Sequence, residues 1–130
     1  MLDFSALNRL NDSQEGLSVQ CSMNDQFSPA AAVVSLKGYL DHSNSIEFAD
    51  AVLDFFSGDW ENHPFILDLE GLQYISSSGI GTFTTIRVQA EHKNSPFYLL
   101  KMDNKVRSVF DQLGFTSFFN IIDSLESVLS

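Results

Sequence analysis

The feature that most constrains the fold is a short apolar run in the middle of the chain, at residues 64–69. It begins with Pro64 and is interrupted only by Asp68. A nearly unbroken run of this kind is typical of a strand that is covered on both faces. Because such a strand belongs inside a sheet, we predict that it forms the centre of the sheet.

Strand and helix patterns alternate along the rest of the chain. Strands are predicted at residues 17–21, 31–36, 64–69, 96–100 and 119–122, and helices at 45–57, 80–90, 104–113 and 124–129. Asp103 is predicted to cap its helix and Gly114 to end it. This order favours one α/β domain, residues 17–130, with a mixed, mainly parallel sheet, helices packed around it and the first strand as an antiparallel edge.

The segment before this domain, residues 1–16, is rich in polar side chains. Nothing in it caps a helix convincingly, so we expect a flexible, loosely attached arm. The helix at 45–57 is preceded by Asn44, and Glu47 follows three residues later, which is the spacing of a capping box.

The helix at 45–57 has two apolar stripes at helical spacing. The first consists of Ile46, Ala49, Leu53 and Phe56, and the second of Phe48, Val52 and Phe55. Together they make an apolar arc broader than packing on one sheet face requires. The second stripe therefore predicts a cover, either the N-terminal arm or a second subunit.

The charge of the chain restricts its partners. Seventeen acidic and seven basic side chains give a formal net charge of −10. Such a field repels phosphate backbones and anionic lipid surfaces, so neither nucleic acid nor membrane is expected as a partner. No apolar run is long enough for a membrane-spanning helix, no secretory signal is visible, and Cys21 is the only cysteine. We expect a cytoplasmic protein, with Cys21 as a strand residue.

The segment that carries most chemistry is residues 74–81, where the central strand leads into a helix. It contains three consecutive hydroxyls, Ser76, Ser77 and Ser78, followed by Gly79 and Gly81. A serine at a helix start can cap unpaired amides, and a phosphate there is favoured by the helix dipole. One serine as a cap, with glycines for a tight turn, is the simpler interpretation, but three serines exceed what a cap needs.

Enzyme motifs do not fit this segment. A hydrolase nucleophile needs a glycine two residues before the serine and another two residues after it, and no serine here has both. A phosphate-binding loop needs a lysine after its last glycine, where this chain has Thr82. His42, His63 and His92 lack metal-ligand spacing. We predict no enzymatic activity, no metal and no cofactor, with a serine-dependent enzyme as a remote alternative.

The same segment resembles the STAS-domain signature of anti-sigma factor antagonists, Asp-Ser-Ser/Thr-Gly-Leu/Ile-Gly/Ala. Residues 77–81 match it, and residues 38–41 resemble the family's Gly-x-Leu-Asp turn. Asp68 and Leu69 lead into the central loop as in the family. The resemblance extends over residues 17–129 and agrees with the α/β order derived above.

The resemblance implies a partner switch. The unmodified domain would bind an anti-sigma factor that is itself a serine kinase, and phosphorylation would release it. Ser77 takes the place of the family's phosphoacceptor, with Ser78 and Ser76 as second choices. The partner-binding residues that it implies are Gly38, Tyr39, Asp41, Ser76, Ser77, Ser78, Gly79, Ile80 and Gly81.

The chain departs from the family pattern at Ser76, where the family usually has aspartate. A serine can still cap the helix, but it supplies no negative charge to orient the acceptor hydroxyl. The alternative is therefore a phosphorylation-insensitive STAS scaffold or an adaptor that forms a homodimer.

Overall fold

Strands and helices alternate in the computed structural model, which describes residues 2–13 and 16–129 of the chain. In chain order the elements are α1 (Ser5–Ser13), β1 (Leu17–Asn24), β2 (Ala31–Leu40), α2 (Ser45–Phe56), β3 (Phe65–Ile75), α3 (Ser77–His92), β4 (Phe97–Leu100), α4 (Asn104–Leu113) and β5 (Ile121–Ile122). Single turns of 3-10 helix at Thr116–Phe118 and Leu125–Ser127 flank β5.

The sheet has the strand order β1-β2-β3-β4-β5. β1 is antiparallel to β2, and the other neighbouring pairs are parallel. The predictions of a mainly parallel sheet, a central third strand and an antiparallel edge are confirmed. β3 continues to Ile75, well past the apolar run, because its second half pairs with the end of β2.

The helices pack on one face of the sheet. The larger core cluster joins apolar side chains of α1, α2, α3 and α4 to the strand residues that point to that face, such as Val34, Leu67 and Leu99. The opposite face carries a small cluster around Ile66 and Leu100. Phe65 is therefore buried against the helices while its neighbour Ile66 is buried on the other side, as expected for a strand covered on both faces.

The second apolar stripe of α2 is covered, as predicted. Phe48, Val52 and Phe55 are buried, and the ring of Phe4 stacks on that of Phe55 with the centroids 5.3 Å apart. Leu7 of α1 is also fully buried. The cover is therefore the N-terminal segment. Over Ser5–Ser13, the residues expected to form a loose arm are a helix packed against α2 and β1.

The first apolar stripe of α2 is only partly buried. Ile46 is 71% exposed and Leu53 is 41% exposed, whereas Phe56 is buried. The side of α2 that carries Phe48 packs into the larger core cluster, and Ile46 lies on the outer side of the helix. Asn44 precedes α2 but makes no side-chain cap, so the predicted capping box is wrong.

Of the last two predicted helices, the first is confirmed and the second is wrong. Oδ1 of Asp103 accepts a hydrogen bond from the Val106 amide at 2.9 Å, and Gly114 ends α4 with a φ of +77°, as predicted. The helix predicted at 124–129 is only the 3-10 turn Leu125–Ser127. Leu125 packs on the small cluster of the opposite sheet face, so this segment serves as its cover.

The packing of α1 makes a direct prediction about stability. Leu7→Ala should lower the free energy of unfolding by about 2–5 kcal/mol, because it removes a fully buried side chain from a closed core. Asn8→Ala is the matched control, since Asn8 is the exposed next residue of the same helix, and it should change stability by less than about 0.5 kcal/mol. Urea unfolding measures both. Equal effects of the two substitutions would contradict the docking of α1.

Candidate functional site

The ends of β2 and β3 bring the two predicted site segments together. Leu40 pairs with Ile75 at the last position of the parallel ladder. One residue further on, the Ser76 amide donates to the Leu40 carbonyl oxygen at 3.0 Å. Residues 38–44 and 76–81 are therefore adjacent loops at the carboxyl edge of the sheet, where ligands and partners commonly bind in α/β folds.

The three serines at the start of α3 differ in their contacts. Ser76 is the N-cap, and its Oγ accepts from the Gly79 amide at 3.2 Å. The Oγ atoms of Ser76 and Ser78 lie 2.8 Å apart and share a hydrogen bond. Ser77 is exposed at the first helical position, and its hydroxyl makes no hydrogen bond to any described residue. Ser77 therefore presents the accessible hydroxyl.

Gly79 allows α3 to start close to β2. A Cβ at this position would lie 2.7 Å from Cγ1 of Ile75 and 3.1 Å from the Leu40 carbonyl oxygen. Gly81 is different, because it is exposed and no atom lies within 4 Å of where its Cβ would be. The outer face of α3 therefore carries no side chain at this position, one turn after Ser77.

The turn after β2 is held by a buried amide side chain. Nδ2 of Asn44 donates to the Tyr39 carbonyl oxygen, and its Oδ1 accepts from the Asp41 amide, both at 2.9 Å. The turn is also fixed from behind, where the Tyr39 amide donates to the Gly16 carbonyl oxygen at 2.7 Å. Gly38, with a φ of +97°, has no room for a Cβ beside that same oxygen.

Asp41 presents an ionised carboxylate on this turn. The Ser43 hydroxyl and the Ser43 amide donate to its Oδ1 at 2.6 and 2.9 Å. These hydrogen bonds, that of the hydroxyl first, lower the pKa of Asp41 below its ordinary value. Asp41 is therefore charged throughout the neutral range.

Not every residue predicted to bind a partner is on the surface. Tyr39, Asp41, Ser77 and Gly81 are exposed or half-exposed, whereas Gly79 and Ile80 are buried. The side chain of Ile80 is only 1% exposed and packs in the core, so it is not on the surface of the free domain, and a partner contact at Ile80 stays a prediction. Gly79 and Ile80 support the surface from below.

Two supporting residues were missed by sequence reasoning. Asn44 was interpreted as a helix cap, although its role is to hold the turn. Thr82 is buried, and its Oγ1 donates to the Ser78 carbonyl oxygen at 3.3 Å and lies 3.5 Å from that of Ser45, which joins α3 to α2. A polar residue on an otherwise apolar helix face was the available signal for Thr82.

Other chemistry is not assembled in the described residues. They contain no group of three His, Cys, Asp or Glu side chains that could hold a metal ion. Across residues 2–13 and 16–129, no helix is long and apolar enough to cross a bilayer. Cys21 lies in β1 opposite Val34, as predicted, and burial raises the pKa of its thiol to about 12.

The sequence of most of this domain matches a known family profile. Residues 22–128 match the STAS domain. This chain belongs to the STAS domain family. The match includes both loops of the site and begins after α1.

Solved structures of similar fold include anti-sigma factor antagonists. A proposed antagonist from Thermotoga maritima is 21% identical, with a TM-score of 0.69 over 85% of this chain and 90% of the other. The antagonist SpoIIAA in its unphosphorylated form is 22% identical, with a TM-score of 0.68 over 85% and 93%. The phosphorylated form of SpoIIAA from Bacillus is 21% identical, with a TM-score of 0.62 over 85% and 96%. At these identities the likeness shows a shared fold.

The two glycines of α3 provide a matched test of the STAS site geometry. Gly79→Ala should lower the free energy of unfolding by about 1–3 kcal/mol, because the added methyl group overlaps Ile75 and Leu40. Gly81→Ala should raise it by about 0.5–1 kcal/mol, since it enters open space on a helix. Thermal unfolding of both variants measures the difference, and similar melting temperatures would show that α3 does not begin against β2.

Proposed function

We propose that this STAS domain is an anti-sigma factor antagonist that switches partners through phosphorylation of Ser77. The observation that carries the proposal is the position of Ser77. Of the three neighbouring serines, Ser76 and Ser78 share a hydrogen bond between their hydroxyl groups, whereas Ser77 is exposed beside the turn at residues 38–44. The proposed partner is an anti-sigma factor with serine kinase activity, in the cytoplasm.

The helix start makes a phosphate at Ser77 compatible with the fold. The first amides of a helix lack intrahelical partners, and the N-terminal end of the helix dipole favours negative charge. The Gly79 amide already donates to the hydroxyl oxygen of Ser76, so the cap does not depend on Ser77. Phosphorylation can therefore change the surface without removing the contacts that start α3.

The surroundings of Ser77 explain how a phosphate would weaken binding. Residues 76–86 contain no ionisable side chain, so the outer face of α3 near Ser77 is uncharged. A phosphate adds about −1.5 to −2 charge at neutral pH and must lose water if a partner covers it. The cost of removing this water would therefore weaken the contact between α3 and the partner.

The structural likenesses support this proposal. The anti-sigma factor antagonist SpoIIAA has this fold in both its unphosphorylated and its phosphorylated form. The substitution of serine for aspartate at Ser76 retains the cap, through the hydrogen bond from Gly79, and removes the carboxylate. That observation favours the second candidate, a phosphorylation-insensitive scaffold. The second stripe of α2, for which a second subunit was one of two predicted covers, is covered by α1.

Ser77 is proposed as a phosphate acceptor and not as a nucleophile. No histidine or carboxylate among the described residues makes a hydrogen bond to its hydroxyl, which an activated serine requires. The net charge of −10 argues against nucleic acid and anionic membranes as partners.

Substitutions at Ser77 separate the switch from the scaffold. Tagged Ser77→Ala should capture its anti-sigma factor from native extract as the wild type does, whereas Ser77→Asp should bind about a hundredfold more weakly, a loss of about 2.8 kcal/mol. Melting temperatures should stay near that of the wild type. Quantitative mass spectrometry of the captured proteins measures the effect, and it also locates phosphate on the endogenous protein.

The control for added charge is Ser108→Asp, on the exposed side of α4, which should bind like the wild type. If Ser77→Asp captures the same partner equally well and no phosphate occurs at Ser76, Ser77 or Ser78, the switch is excluded and the scaffold remains.

A further inference from the structure

The acidic side chains of the chain are concentrated in its middle. Between Lys37 and Arg87 the sequence contains no lysine or arginine. The acidic residues of that interval are Asp41, Glu47, Asp50, Asp54, Asp59, Glu61, Asp68 and Glu70. Four of these eight residues lie in the turn after β2 or in α2, namely Asp41, Glu47, Asp50 and Asp54.

The outer face of α2 combines these charges with exposed apolar side chains. Ile46 and Leu53, two turns apart, are both exposed, and Asp50 lies between them on the same side. Glu47 and Asp54 are exposed along the edge of that stripe.

The neighbouring helix has a different surface. The outward residues of α3, Ser77, Gly81, Thr85 and Val88, are uncharged. α2 and α3 are packed together, and α2 begins directly after the turn that carries Asp41. The start of α2 is therefore adjacent to the proposed partner surface. Glu47, Asp50 and Asp54 line the groove between α1 and α2 together with Arg9.

We propose that the outer face of α2 receives a basic segment of the partner, one in which lysine or arginine side chains flank apolar ones. The inference rests on the proposed function and names the chemistry of its partner. Carboxylates at the rim attract the basic groups, while Ile46 and Leu53 are covered by the apolar ones.

The two helices then have separate roles. Long-range attraction between α2 and a basic partner accelerates association and is screened by salt, because the Debye length falls from about 10 Å at 0.1 M to about 3 Å at 1 M. A phosphate on Ser77 would not reduce that attraction, since it adds negative charge. It must therefore act after encounter, at the uncharged face of α3, by accelerating dissociation.

The kinetic test uses the purified serine-kinase anti-sigma factors of the source organism as probes. The variant combining Glu47→Gln, Asp50→Asn and Asp54→Asn should lower kon about tenfold at low salt, and the difference should vanish near 1 M salt. The variant Ser77→Asp should instead raise koff and leave the salt dependence of kon unchanged. Stopped-flow fluorescence measures both rate constants.

The control for net charge combines Asp25→Asn, Asp123→Asn and Glu126→Gln, which neutralises three exposed carboxylates outside the acidic interval. It should change kon less than twofold. If this control slows association as much as the α2 variant, the attraction comes from total charge and the inference is overturned. If no anti-sigma factor binds at all, the proposed function fails. The peptide test below then decides whether the outer face of α2 binds a basic amphipathic segment.

The peptide test needs no cognate partner. A short amphipathic helical peptide of leucine and lysine is titrated into the labelled domain, with the leucine–glutamate peptide as control. Amide shifts should concentrate on α2, and Leu53→Ser should weaken binding at least threefold more than Leu113→Ser, a similarly exposed leucine on α4. Shifts spread evenly over the domain, or equal effects of the two substitutions, would overturn the inference.

Discussion

The close contact between the start of α3 and the end of β2 is the constraint on which the site depends. It requires Gly79, whose missing side chain lets the helix approach Leu40, and it is secured by the hydrogen bond from the Ser76 amide to the Leu40 carbonyl oxygen. Because β2 and β3 are parallel neighbours, both loops leave the sheet at the same edge. Within the STAS signature, Ser76 and Gly79 thus hold the start of α3 against β2. The side chain of Ser77 takes no part in this packing and is exposed.

Much of the architecture could be predicted from sequence because the signals were local and strong. The apolar run ending at Leu69 indicated a central strand, and Asp103 with Gly114 marked the ends of α4. The errors have a common cause, which is tertiary context. The burial of Leu7 and the stacking of Phe4 on Phe55 accompany contacts between α1 and α2, which no local sequence pattern shows.

Within the site, sequence reasoning located the segments and misjudged individual side chains. The motif predicted that residues 38–41 and 76–81 would act together, and the parallel register places them side by side. It could not show that Ile80 points into the core, since the signature records which residue types recur and not where each side chain lies. Asn44 has the sequence context of a cap, but its amide group satisfies two backbone groups of the turn instead. Only three-dimensional geometry decides between those uses.

Buried contacts hold the edge of the sheet that carries the site, whereas the proposed switch lies on the exposed hydroxyl of Ser77. The most direct test is a domain that carries authentic phosphoserine at position 77. Its affinity for the anti-sigma factor and the hydrogen exchange of its Ser76 amide would be measured together. We expect affinity to fall about a hundredfold while exchange at Ser76 stays unchanged, because the bond to Leu40 is not involved. Unchanged affinity, or loss of protection at Ser76, would contradict a switch that acts at the surface alone.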